Sequence, residues 1–600
     1  MTLVNVGIGL AGLVSLVAPG WLLARSMRVP HPWVAGFVFS AVAFFAFVLV
    51  LDTIGAPLSR GMIGGGWLAF NVACLVYWFR CRTKPPTLPE ACSRSRWRDD
   101  WFLLLPLVPA VAVVAYRAVA QPLFGVDTIF RWNYLSEQMF ARATLSFYPP
   151  ATAADYEVYA WPDGIAPIVS VLYFWLYTLA NAARPTLTAP LVIFQFLLLV
   201  AATFALGRKL FSWRAAVFAA ALLVASPLVP WATAMGQETG LIAISVVALL
   251  LYLPRSREEE ASMPVCIAAL AAGFGALARE YALVLPLLGI GLCLARGLSR
   301  RALISFAMIS FAVALPWYAR NWAKTGNPFF NLSVAGIFPI NTVHGWLNES
   351  FQLEFGWAHL PPEALRLVLV NAAVPLLAVL GAAVYLRRTG GALLATIAVF
   401  VVLWAASVGY TAAGFIYSLR VLNPALAAAA VLGGAVLARW FPTDRHLRGI
   451  ALGLVLVATD AGLRALTLPA NVYRLPATAW LEFGRGLHEY HARPIYAEIA
   501  RVAGAERILV LGPHALLTRH KARALPLWSP EVRFLFDDAL SRTEIVSCLR
   551  AAKIGFVLLN TGKVNERFLA RSAFFRDPMG KLQPVWSDAD MVLLRVVGEP

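Results

Sequence analysis

Long apolar runs recur along this chain, and short basic stretches separate them. A membrane-crossing helix needs roughly 20 apolar residues. Runs of that kind lie at 3–23, 33–51, 61–79, 101–119, 187–206, 215–232, 239–254, 302–319, 366–386, 391–409, 416–438 and 449–467. The apolar stretch 263–295 is too long for one span and is interrupted by Ala278-Arg279-Glu280, which predicts two helices sharing a tight turn. A further run, 164–182, is ambiguous by hydropathy alone.

Charge resolves that ambiguity. Basic clusters occur at Arg25/Arg28, Arg80–Arg98, Arg208/Lys209/Arg214, Arg255/Arg257, Arg296/Arg300/Arg301, Arg387/Arg388 and Arg439/Arg445/Arg448. Short loops rich in Lys and Arg stay on the cytoplasmic side. These clusters share that side only if 164–182 does not cross, so it is expected to be an interfacial or half-buried helix within an external segment, 120–186. The expected fold is a polytopic α-helical membrane protein of about fourteen spans with its N-terminus outside. The same parity places the loop 320–365 and everything from about 470 outside. There the pattern changes: β-type runs at 507–512, 554–559 and 591–596 alternate with charged helical stretches, which predicts a small soluble α/β domain. The expected organisation is extra N-terminal helices over 1–100, a membrane core over 101–469, and an external α/β domain over 470–600.

Composition excludes the soluble alternatives. Of 600 residues, 60% are hydrophobic and 14% charged, against roughly 25% charged in soluble domains. The net charge of +18 would otherwise hint at nucleic acid. Here the basic residues sit in short loops that orient the chain, so no nucleic-acid partner is expected. No cysteine pair has metal-ligand spacing, and no disulfide framework is implied. The N-terminus lacks a charged n-region and an A-x-A site, so the first run reads as a retained helix. Richness in Ala, Arg and Trp points to a GC-rich bacterial source and hence a plasma membrane.

Polar residues of the expected external face supply the candidate chemistry. Asp127, in Gly125-Val-Asp-Thr-Ile-Phe-Arg-Trp132, starts a helix running to about 143. It reads either as an N-cap or as a reactive carboxylate, with Arg131 as an i,i+4 partner. Tyr159-Ala-Trp-Pro-Asp-Gly164 leads into the non-crossing helix and also fits a plain turn. Glu238 lies in Met235-Gly-Gln-Glu-Thr-Gly240, and Arg279 and Glu280 in the break of the long apolar stretch. Arg320 ends Leu315-Pro-Trp-Tyr-Ala-Arg-Asn321, Lys324 precedes Gly326-Asn-Pro328, and Arg420 lies in Tyr417-Ser-Leu-Arg-Val-Leu-Asn-Pro424. Singly, each fits a cap, an interfacial anchor or a snorkelling cation. Together they bring carboxylates and guanidinium groups from five segments to one membrane face, which suits an anionic lipid with a polar head.

These residues resemble the GT-C-fold glycosyltransferases, in the branch containing protein O-mannosyltransferases and lipid A aminoarabinose transferase. Asp127 followed by Trp132 is similar to that family's Asp-x-x-x-x-Trp signature, and Tyr159-Ala-Trp-Pro162 to the element before its juxtamembrane helix. Glu238 resembles its second acidic position, and Ala278-Arg-Glu-Tyr281 a variant of its Thr-Lys-x-Glu-Gly stretch. Pro316-Trp-Tyr-Ala-Arg-Asn321 with Gly326-Asn-Pro328 is the most specific match, and Leu419-Arg-Val-Leu-Asn-Pro424 is similar to Arg-Tyr-x-x-Pro. The likeness covers about 101–600, and spans one to three have no counterpart in the minimal family core.

The resemblance implies a polyprenyl-phosphate-linked sugar donor, a glycan, lipid or protein acceptor, and inversion by a single in-line attack. Asp127 is then the candidate base. Arg131, Arg279, Arg320 and Arg420, with Lys324 behind them, are the candidate phosphate ligands, since Arg presents a planar fork of donors. Trp317 and Tyr318 would anchor the helix bearing Arg320 in the interfacial belt. Glu238, Glu280, Trp132, Tyr159 and Asp163 are the candidates for sugar or acceptor binding. No cofactor is expected; Asp127-Thr128, where many relatives have Asp-Glu, leaves a divalent metal open. The rival classes are a flippase or transporter of lipid-linked glycans, which would carry charges at mid-span, and a glycan polymerase, ligase or scaffold.

Overall fold

The computed structural model describes residues 2–81, 101–125, 127–360, 362, 364–385, 390–410, 415–441, 447–467, 494–512, 524–578, 580–588 and 591–597. The Arg-rich loop 82–100 and the expected boundary at 470 lie outside the described residues. The predicted runs fall on helical segments, some of them, 215–232 and 416–438 included, divided into shorter pieces. Among the described residues, eight helices are long and apolar enough to cross a membrane, or nine if the bent pair Trp213–Val224 and Leu228–Ala234 is one span. That is fewer than the fourteen expected, because several runs are cut short. Pro227 interrupts the bent pair, whose halves meet at 68°, as a residue with no N–H to donate does. Glu238–Tyr252 begins after a turn at Gly236 and ends before Pro254, and Ser262–Ala276 stops at the Arg279-Glu280 break.

Helix ends sort into two sets. At one end Tyr252 donates to the backbone oxygens of Pro30 and His31, and Arg296 to those of Leu253 and Pro254. The Glu260 carboxylate caps Ser299 there. The basic clusters at 208–209, 255–257 and 296–301 therefore share one end, which the charge rule makes cytoplasmic. At the opposite end Asp52 meets Thr144, Leu145 and Arg320, and Asn5 meets Thr186. Helix Ile168–Ala180 has both its flanks at that second end. Gly164 before it is held by Trp317 and Asn321, and Leu179 near its close accepts from Arg60. It enters and leaves at the same side, packed against the first three helices.

The C-terminal region folds as an α/β unit. Strands β1 (Arg507–Leu511), β2 (Ala524–Pro526), β3 (Ile554–Asn560), β4 (Leu582–Ser587) and β5 (Met591–Val596) form one sheet in the order β2-β1-β3-β5-β4. β1 runs parallel to β2 and β3, with Leu509 opposite Val557, while β5 is antiparallel to β3 and β4. β1, β3 and β5 coincide with the three expected runs. β2 is three residues long, and β4 is mostly exposed and contains Pro584, so neither carries a strand-like pattern. The domain's core is not its own alone: Tyr156 of the first external loop and Val343 and Leu347 of helix Thr342–Phe355 belong to the same buried cluster.

Candidate functional site

Two glycines shape the backbone at the helix end opposite the basic clusters. Gly125 has φ +107 and Gly236 φ +66, conformations that side chains resist; a Cβ at Gly236 would also lie 2.5 Å from the Tyr173 hydroxyl. Beyond Gly125, residues Thr128–Asn133 form a π-helical turn, a rare geometry frequent at functional sites. Asp127 stands at its start but makes no side-chain cap bond, which removes the N-cap reading. Its carboxylate instead meets Arg420 Nη2 at 3.4 Å and stays 28% exposed. Arg420 is steadied by Gln237, whose amide oxygen accepts from Nη1 and whose Nε2 donates to Thr128 Oγ1 at 2.7 Å. Thr128 passes the contact to the Met235 carbonyl, so the Gly236 turn and the π-turn are tied together.

Arg131 does not pair with Asp127. Its Nε donates to Asp163 Oδ2 at 2.6 Å, with both side chains 9% exposed, and the Tyr148 hydroxyl lies 2.5 Å from the other carboxylate oxygen. Asp163 is thus more than a turn residue. Arg279 bridges two acids loosely, Glu238 at 3.5 Å and Glu280 at 3.3 Å. The second oxygen of buried Glu238 has no hydrogen-bond partner, an uncommon state for a buried polar atom. Burial would raise the Asp127 carboxyl's pKa, but the charges of Arg131, Arg420 and Arg279, with the Arg420 hydrogen bond, outweigh it and hold it below its ordinary value.

The structure therefore brings Asp127, Arg131, Asp163, Glu238, Arg279, Glu280 and Arg420 into one cluster. Four of them are partly open: Asp127, Arg279, Glu280 and Arg420. Arg131, Asp163 and Glu238 form a buried floor. Two candidates depart from expectation. Trp132 and Tyr159 are fully buried; Trp132 lies in the helical core, and Tyr159 is packed between Tyr134 and Tyr148. Rings without exposed surface cannot take a sugar in this conformation.

Arg320 and Lys324 also stand apart, in a second cluster. Arg320 donates to the Tyr148 carbonyl at 2.5 Å, to the Leu145 carbonyl at 3.0 Å and to Asp52 at 3.1 Å. Lys324 contacts Asp155 at 3.6 Å and donates to the Ser146 carbonyl. Neither Trp317 nor Tyr318 is an interfacial anchor, since both are buried. Trp317 and Asn321 both donate to the Gly164 carbonyl, at 2.8 and 2.7 Å. Hence the Pro-Trp-x-x-Arg-Asn segment grips the backbone on either side of Asp163: Gly164 directly, and Tyr148, whose hydroxyl reaches the carboxylate, through its carbonyl. Sequence reasoning missed Gln237, Tyr148 and Asp52. Asp52 did carry a signal, being the only acidic residue before Glu90.

What fold and site define is a polytopic membrane protein with a mixed-charge, partly open cluster at the end opposite its basic loops. No family model and no curated protein sequence matches the chain. Among solved structures it is similar to ArnT from Cupriavidus metallidurans bound to undecaprenyl phosphate, at 15% identity over 85% of this chain and 100% of that one, with a TM-score of 0.47. The Archaeoglobus fulgidus oligosaccharyltransferase tethered to an acceptor peptide matches at 13% identity over 78% and 70%, TM-score 0.45. The mycobacterial arabinofuranosyltransferase AftD matches at 14% over 85% and 42%, TM-score 0.45. These are distant likenesses of shape.

Proposed function

We propose that this protein is an inverting, GT-C-like membrane glycosyltransferase. It moves a sugar from a polyprenyl-phosphate donor to an acceptor hydroxyl at the external face of a bacterial plasma membrane, with fourteen crossings and the α/β domain outside. The observation that carries the reading is the half-open Asp127 carboxylate beside Arg420, with Arg279 close enough to bias its ionisation. Such a pair offers a proton acceptor and a phosphate ligand to one substrate.

In the proposed step the acceptor oxygen attacks the anomeric carbon as Asp127 takes its proton. The bond from that carbon to the phosphate oxygen breaks, and the electron pair leaves with the polyprenyl phosphate. Arg420 and Arg279 stabilise the charge that gathers there, more in the transition state than before it. At rest the arginines are held by carboxylates at 3.3–3.5 Å, contacts loose enough for the donor's monoanionic phosphodiester to displace. Drawing Arg420 onto phosphate also relieves Asp127 of a charge that weakens it as a base. Glu238 and Glu280 orient Arg279 or bind sugar hydroxyls. Arg131 with Asp163 forms the rigid floor, and Arg320 with Lys324 positions the loop above it. A transporter would place such charges at mid-span; here they gather at helix ends.

The test is Asp127→Asn in purified protein supplied with a polyprenyl-phosphate sugar. Turnover should fall by at least about 10², the usual cost of removing a general base, with donor binding nearly intact. Near-wild-type turnover would move the base elsewhere, with Glu238 next in line. Mass spectrometry of copurifying lipids would identify the donor.

A further inference from the structure

A second cavity lies apart from the charged cluster. It has a volume of about 380 Å³ and sits where the first external loop, the end of helix Arg300–Thr325, the start of helix Thr342–Phe355 and the α/β domain meet. That is within the range of small-molecule sites, roughly 300–1,000 Å³. Its domain-side wall begins at Trp528, two residues past β2. Open sheets of parallel strands take ligands beyond the carboxyl ends of those strands.

Its lining is chemically one-sided. Lys324 and Arg533 both face it, and among the described residues no carboxylate lines it. Lys324 is partly spent on Asp155. Arg533 is exposed and makes no hydrogen bond or ion pair with any described residue. The rest of the wall is largely apolar, with Tyr156, Trp528 and Ser529 almost wholly buried in it and the hydroxyls of Thr325 and Thr342 at its more open part. The Asn341 amide ties Tyr156 to the Trp528 carbonyl, at 2.9 and 3.0 Å, so loop and domain are fixed relative to one another. Trp528 also packs edge-on against Trp161 at 5.3 Å, and Trp161 lies under the Arg131 guanidinium at 5.9 Å. The cavity is thus one indole ring away from the charged floor.

From this we infer that the cavity is a binding site for an anionic saccharide, a sugar chain bearing phosphate or carboxylate, and that it holds the acceptor while a neighbouring hydroxyl reaches Asp127. Arg533, which has no competing acid among the described residues, selects charge, and the threonine hydroxyls can meet those of a sugar ring. The assignment to the acceptor rests on the transferase reading above; the binding site itself does not.

The experiment uses the purified full chain in detergent and three fluorescently labelled probes: a tetragalacturonate, a mannose-6-phosphate-bearing oligosaccharide and neutral maltotetraose. At least one anionic probe should bind, and which one does separates carboxylate from phosphate. Its affinity should fall about tenfold in Arg533→Ala, the loss of one charge-assisted contact, and recover in part in Arg533→Lys. Arg533 is exposed, so these variants should fold, and unchanged melting would establish it. Maltotetraose binding as tightly as the anionic probes, or an Arg533→Ala variant that binds like the wild type, would overturn the inference. Should the wild-type protein transfer no sugar from any polyprenyl-phosphate donor while Arg533-dependent binding persists, the cavity stands and only its assignment to an acceptor falls.

Discussion

The two charged clusters at the helix end opposite the basic loops are built from the same residue types and do opposite things with them. Around Asp52, Arg320 has every contact it needs: two carbonyls and a carboxylate, all within 3.1 Å. Asp52 spends its other oxygen on the Leu145 amide at 2.7 Å. Around Asp127 the ion pairs stretch to 3.3–3.5 Å, and one Glu238 oxygen is left unpaired. A buried charge whose partners are complete serves position; one whose partners are incomplete has capacity left for a ligand. Residue type alone does not separate the two, since Arg320 and Arg420 both follow apolar spans or precede them at the same membrane face.

The largest expected effect breaks the closed cluster. Arg320→Ala would leave Asp52, only 5% exposed, without its cation; stability should drop by about 3 kcal/mol, the scale for breaking a buried pair. Thermal unfolding in detergent measures it, and a loss confined to donor affinity would instead make Arg320 a ligand. Next comes the open cluster. Arg420→Gln should lower kcat/KM by the worth of a charge-assisted contact, about 1.5–3 kcal/mol. It should also move the pH profile. The Asp127 carboxyl sits below its ordinary value, so the base form is present at neutral pH and activity falls only as pH drops through that lowered value. Without Arg420 the burial effect is opposed less, and the acid limb should shift to higher pH. An unmoved limb would detach Asp127 from the rate profile. Trp317→Phe removes a single hydrogen bond to Gly164 and should cost about 1 kcal/mol of stability. Lys324→Gln, whose pairing with Asp155 is long at 3.6 Å and partly solvated, should change stability by less than about 1 kcal/mol. Anionic-probe binding separates its role in the cavity from that small effect.

What could be read beforehand follows from what each feature depends on. Apolar runs are legible as helices because apolar length is a local property, but which of them are long enough to cross is not, because proline and glycine breaks shorten several. β1, β3 and β5 are legible as runs of buried aliphatic residues. The acids and arginines of the site were found as a set, but their pairing was not. Arg131 turns to Asp163, 32 positions away, instead of Asp127, four away, and only the fold decides that. Arg320 was placed at the correct helix end, yet its role depended on Asp52, which lies 268 positions earlier in helices the resemblance did not cover.

The shared core of the α/β domain and the external loops carries a consequence for synthesis. Trp528 donates to the Ala160 carbonyl across 368 positions, and Tyr156 shares a buried cluster with residues of the tail and of helix Thr342–Phe355. At a typical 5–20 residues per second, that part of the first loop emerges roughly 20–75 s before its partner exists. Throughout that interval its aromatic face lacks its cover, so folding of this protein should depend on whatever shields nascent chains at that membrane face, and ribosome pausing before the final strands should lengthen the exposure.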